Sequence, residues 1–131
     1  MFEGTYGCPK CRTHLNPGGA VILLARRGDS VGLIVFSPEP GIYRLDHSKS
    51  ITIHQGEEWI FQCPVCRSDL VSEADPTLSQ IDLYDERGRT RKVHFSRVAG
   101  EYATFVVDEE GVKGFGEHHL KYADLVKLKF F

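Results

Sequence analysis

The most specific chemistry in this sequence is carried by its four cysteines, Cys8/Cys11 and Cys63/Cys66, each pair spelled Cys-Pro-x-Cys. Two residues between cysteines let a tight turn aim both sulfurs at one point, and proline after the first cysteine pre-sets φ there. The flanks echo one another as well. Tyr6-Gly7-Cys8-Pro9-Lys10-Cys11-Arg12-Thr13-His14-Leu15 matches Phe61-Gln62-Cys63-Pro64-Val65-Cys66-Arg67-Ser68-Asp69-Leu70 in its aromatic, cysteines, proline, arginine and leucine. Two such turns face to face supply four thiolates in a tetrahedron, a site for one structural metal ion, zinc before iron.

A zinc ion with four thiolates carries a formal charge of about −2, so the cations inside the knuckles, Lys10, Arg12 and Arg67, are expected to lie around the site and neutralise it. His14 follows Cys11 at a ligand-like interval, but four cysteines already fill the tetrahedron. His118-His119 reads as an exposed pair, because adjacent side chains diverge on a strand or a helix. Glu57-Glu58 and Asp108-Glu109-Glu110 lie at turns with no partner for acid–base work, and no nucleophile-elbow, P-loop or dinucleotide pattern is present, so no enzyme is expected. A local basic strip, with Arg87, Arg89, Arg91, Lys92 and Arg97 outnumbering Asp85 and Glu86, is the one stretch that phosphates would favour. On a strand there, Lys92, His94 and Ser96 would share an open face while Val93 and Phe95 lie buried.

The elements that must position these residues read as short strands. Val21 to Ala25 and Val31 to Phe36 form a hairpin about Gly28-Asp29, Ser37-Pro38-Glu39-Pro40-Gly41 interrupts the pattern, and Ile42 to Asp46 and Ile51 to His54 are short β-like pieces. Trp59-Ile60-Phe61 leads into the second knuckle. The polar stretch Ser72-Glu73-Ala74-Asp75-Pro76 is the best internal boundary, beyond which Leu78 to Tyr84, Lys92 to Ser96, Tyr102 to Val107 and Val112 to Phe115 make a meander. Glu117 to Asp124 reads as one or two helical turns, and Val126, Leu128 and Phe130 alternate with lysines as an amphipathic strand does. The fold class expected is mainly β, an antiparallel β-rich single domain over residues 1–131 built around the four-cysteine site, with minor helix near the C-terminus. Sub-lobes at 1–72 and 77–131 are a further expectation.

The 131 residues carry a net charge of −2, with 41% hydrophobic and 26% charged residues. These values fit one globular domain and exclude a disordered or strongly basic class. The N-terminus lacks the basic and apolar regions of a signal peptide and no apolar run reaches the roughly 18 residues of a membrane span, so a cytoplasmic setting is expected. Reducing compartments keep thiols free, which shifts the cysteines toward metal and away from disulfides.

The two Cys-Pro-x-Cys knuckles resemble those of zinc-ribbon and rubredoxin-like proteins. That resemblance implies a four-cysteine metal site at the tips of antiparallel hairpins, in proteins that bind nucleic acid or other proteins. It covers about ten residues around each pair, and where such knuckles commonly carry glycine after the second cysteine this chain has Arg12 and Arg67. Cys-Pro-x-Cys also resembles the active-site spelling of some glutaredoxin-like oxidoreductases, where a helix N-terminus activates the first thiol. Such a helix is blocked here by Asn16-Pro17-Gly18-Gly19 after the first pair. The function expected is a zinc-binding interaction module, the alternative a thiol-disulfide or iron electron-transfer protein using the same cysteines.

Overall fold

A computed structural model describes residues 4–130 of the chain. Nine strands are followed by a 3-10 turn and one helix: β1 (Thr5–Gly7), β2 (Val21–Arg27), β3 (Ser30–Phe36), β4 (Leu45–His47), β5 (Ile60–Gln62), β6 (Leu78–Tyr84), β7 (Thr90–Ser96), β8 (Thr104–Asp108), β9 (Gly111–Phe115), the turn His119–Lys121 and α1 (Ala123–Phe130). They form two antiparallel sheets, ordered β1-β6-β7-β8-β9 and β4-β3-β2-β5. The mainly β class, the β2–β3 hairpin and the β6 to β9 meander are as the sequence predicts.

The arms of the two knuckles pair crosswise. β1, which leads into the first knuckle, pairs with β6, which follows the second, and Tyr6 lies opposite Leu83. β5, which leads into the second knuckle, pairs with β2, which follows the first, and Phe61 lies opposite Ala25. Only β1 crosses between the stretches 1–72 and 77–131: the four-stranded sheet is built wholly from the first stretch, and the five-stranded sheet joins β1 to β6 through β9 of the second. Apart from β1, the strands divide between the two sheets at Ser72–Pro76.

The inner faces meet over a core that includes Tyr6, Leu23, Ala25, Ile34, Ile81, Leu83 and Val93. Phe95 bridges the two faces, its ring centroid 5.6 Å from those of both Phe36 and Phe61. A second cluster, Leu78, Phe105, Val107, Tyr122 and Val126, lies on the opposite face of the five-stranded sheet, where the C-terminal segment covers it.

Three expectations are corrected. The segment holding Val126, Leu128 and Phe130 is helix, not strand, because the buried pair is Tyr122 and Val126, one helical turn apart, while Leu128 is 80% exposed. The face of β7 expected to be open is covered, and His94 is fully buried with its Nδ1 2.7 Å from the Ser72 hydroxyl, not part of a solvated strip. The strand at 42–46 is realised as Leu45–His47, and Ile51 to His54 joins no ladder. Ile51 packs instead over Gly32, where an added Cβ would come within 2.9 Å of it.

Candidate metal centre

Each knuckle is a hairpin tip. Residues on either side of the cysteines bridge at Gly7 with His14 and at Gln62 with Asp69. Inside the tips the hydrogen bonds match one for one. The Cys8 and Cys63 amides donate to the carbonyls of Thr13 and Ser68, the Arg12 and Arg67 amides to Cys8 and Cys63, and the Leu15 and Leu70 amides to Tyr6 and Phe61. The sequence echo is thus a structural echo down to its backbone bonds. Arg12 and Arg67 adopt φ of 63° and 59°, the left-handed region that glycine usually fills, so both knuckles make the same turn despite the side chain.

This crosswise pairing brings the tips together. Cys8 Sγ lies 3.7 Å from Cys66 Sγ, Cys11 Sγ lies 3.7 Å from Cys63 Sγ, and all four sulfurs fall within 4.8 Å of one another. A tetrahedral ion with metal–sulfur bonds of about 2.3 Å requires sulfur separations of about 3.8 Å. The donor set fits such an ion, and the four cysteines are free of disulfides.

Backbone amides prepare the two buried sulfurs for negative charge. Lys10 and Cys11 amides point at Cys8 Sγ from 3.3 and 3.5 Å, and Val65 and Cys66 amides at Cys63 Sγ from 3.4 and 3.5 Å. Without a cation, burial still dominates and pushes the Cys8 thiol up to about 12, with Cys63 raised for the same reason. Cys66 is exposed and is lowered to about 6, first by the Ser68 hydroxyl 3.3 Å away and then by the Ser68 amide. A positive ion between the four sulfurs is what would make thiolates of the buried pair favourable.

The remaining expected site residues fall as follows. Lys10, Arg12 and Arg67 are exposed on the knuckle tips around the cluster. His14 is exposed and outside the cluster. His118 is exposed, whereas His119 is half-buried, its Nδ1 2.8 Å from the Gly116 carbonyl and its ring against Phe105. In the basic strip, Arg89 and Arg91 both reach Asp85, Arg91 also reaches Asp108, and Lys92 reaches Glu73 at 3.1 Å. Arg87 is exposed at the β6–β7 turn, and Arg97 is spent on the Trp59 carbonyl, Pro76 and Glu58.

One feature of the surface was not anticipated. The outer face of the four-stranded sheet presents Val31 and Leu33, 45% and 43% exposed, beside the half-buried Ile22, Leu24, Val35 and Ile60. Its signal lay in the sequence: Val21 to Ala25 and Val31 to Phe36 are nearly continuous apolar runs, as in strands covered on both faces.

Comparison with family models, with curated proteins and with solved structures finds no match to the chain. The four-cysteine cluster therefore rests on its own geometry. Among the described residues, no helix is long and apolar enough to cross a membrane.

Proposed function

We propose that this chain is a small structural-metal protein, binding zinc in preference to iron through zinc-ribbon-like knuckles, whose work is to bind another protein. The observation that carries the reading is the convergence of Cys8, Cys11, Cys63 and Cys66 onto one point, from two knuckles whose flanking strands pair crosswise. With four sulfurs filling the tetrahedron no coordination position is left for a substrate, which favours a structural ion over a catalytic one. Such an ion would fix the two tips from which both sheets start.

The charge pattern favours protein over nucleic acid as the partner. Arg89, Arg91 and Lys92 are engaged by Asp85, Asp108 and Glu73, leaving little free positive charge for phosphates. The apolar outer face of the four-stranded sheet offers the better contact. Its counterpart on the five-stranded sheet is covered by the chain's own helix through Tyr122 and Val126. By that internal analogy the partner element that fits is an amphipathic helix presenting an apolar stripe. A reducing, cytoplasmic compartment suits free cysteines of this kind.

The rival, thiol-disulfide exchange, lacks support from the local structure. Each Cys-Pro-x-Cys is followed by a left-handed turn and a bridged extended segment, so no helix N-terminus faces Cys8 or Cys63. Elemental analysis of freshly purified protein, with thiol counting before and after chelation, separates the readings. One equivalent of zinc with all four thiols protected is expected; metal-free reactive thiols would overturn the proposal, and a red iron protein would replace it with electron transfer. Binding to RNA or DNA at low salt that is lost in an Arg89→Ala, Arg91→Ala double variant would move the partner to nucleic acid.

A further inference from the structure

The interior between the two sheets is not filled. A cavity of about 160 Å³ opens there, walled by Ile34, Ile53, Ile81 and the rings of Phe36, Phe61 and Phe95. Phe36, Ile53, Phe61 and Phe95 are only partly buried although they pack against the centre of the core, and the space they border is this cavity. Protein interiors normally close over such space, because side chains beside a void lose their dispersion partners. An apolar cavity of roughly 150 Å³ is large enough to take up benzene.

The cavity has an entrance. The proline-bearing strap of residues 37–45 lines it, held at one end by the Tyr6 hydroxyl donating to the Pro38 carbonyl at 2.6 Å. At the other end Tyr43 stacks on Tyr102 at 4.7 Å and its hydroxyl lies 2.8 Å from that of Thr104. On the strap Ile42 and Leu45 are 45% and 46% exposed, with Arg44 exposed between them in the chain. Several polar groups beside the phenylalanine rings are already committed. Ser96 donates to Glu101, Glu101 also holds Lys121 and Tyr122, and Arg97 is tied to the Trp59 carbonyl and Glu58.

We propose that the space between the sheets is a binding site for a small, flat, uncharged aromatic molecule of one or two fused rings. The size of the cavity limits the ligand to that scale, the clustered phenylalanine rings favour a planar π surface, and the isoleucine and phenylalanine walls offer nothing to pair with a charge, Arg44 standing exposed on the strap. The site is independent of the metal and of the outer sheet face.

Indole is the probe, titrated into protein carrying ¹³C-labelled methyl groups and followed by NMR. Shifts that saturate at the Ile34, Ile53 and Ile81 methyls, with Val31 and Leu33 unmoved, are expected. Indole-3-acetate, which adds a carboxylate, is expected to bind at least about tenfold more weakly, a difference of about 1.4 kcal/mol. Ile53→Phe fills the cavity and should weaken indole by a similar factor. Ile42→Glu, on the exposed strap where folding is not at risk, should weaken it severalfold. Shifts that never saturate, or that move Val31 and Leu33 equally, overturn the proposal, as does unchanged indole affinity in both variants. Equal binding of indole-3-acetate overturns the restriction to uncharged ligands.

Discussion

His94 makes the stability of this protein depend on acid in a way that can be worked out from its surroundings. The side chain is fully buried on the covered face of β7, and its Nδ1 lies 2.7 Å from the Ser72 hydroxyl. That hydroxyl also accepts the Ala74 amide at 2.9 Å, so its own proton is free to donate to Nδ1. Burial, helped by Lys92, lowers the His94 pKa from 6.5 to about 4. Above pH 6.5 the folded and unfolded chains both hold a neutral imidazole, and the full stability is present. As pH falls from 6.5 toward 4, the unfolded chain takes up a proton that the folded chain refuses, so stability is lost across that window. At about 1.4 kcal/mol per pH decade the loss approaches 3 kcal/mol, a large share of a net stability on the order of 10 kcal/mol.

The assay is urea unfolding at constant metal concentration between pH 7.5 and 4.5, for the native sequence and for His94→Asn. Asparagine can place a carbonyl oxygen near the position of Nδ1 and still accept from Ser72, but it does not titrate. Protonation of the cysteines affects both proteins alike, so the difference between the two pH profiles isolates the imidazole. The variant starts less stable because of the volume it loses. The gap should then narrow by about 3 kcal/mol on acidification. Parallel profiles would refute the assignment of His94 as a neutral, acid-sensitive part of the core.

Chelation, or Cys63→Ser, should remove the metal and lower the melting temperature sharply, since a structural zinc contributes on the order of 10 kcal/mol of apparent folding free energy; an unchanged melt after metal loss would show that the cluster holds nothing together. Arg12→Gly and Arg67→Gly should each raise stability by about 0.5 kcal/mol, because relief of the left-handed conformation outweighs the entropy glycine adds to the unfolded chain; lower urea midpoints would show that the arginine side chains do more than occupy the turn. Gly116→Ala should cost about 1–3 kcal/mol, as φ there is 95° and the new Cβ would sit 2.5 Å from the Tyr102 carbonyl oxygen. Gly28→Ala, in a similar left-handed turn but with open space around it, should cost less in the same denaturation assay.

The knuckles were legible in the sequence because their chemistry is local: proline, cysteine spacing and the flanking aromatic and leucine determine a turn whose bonds close within ten residues. The β2–β3 hairpin was legible for the same reason, with apolar runs flanking Gly28-Asp29. What the tips are attached to was not. The pairing of β1 with β6 and of β5 with β2 joins residues far apart in the chain, and no local pattern distinguishes that crosswise pairing from two separate ribbons. The C-terminal segment fits both a strand and a helix by its apolar spacing, and the choice was made by the sheet surface at Leu78 and Phe105, which takes Tyr122 and Val126 from one helix face. His94, whose neighbours in sequence point to a solvated strip, is buried beside Ser72, 22 residues away in the chain. Local sequence thus determined which turns form and which atoms could bind a cation. Tertiary structure decided that the two turns meet and which faces stay open, because burial and ion pairing depend on partners that only the folded chain brings near.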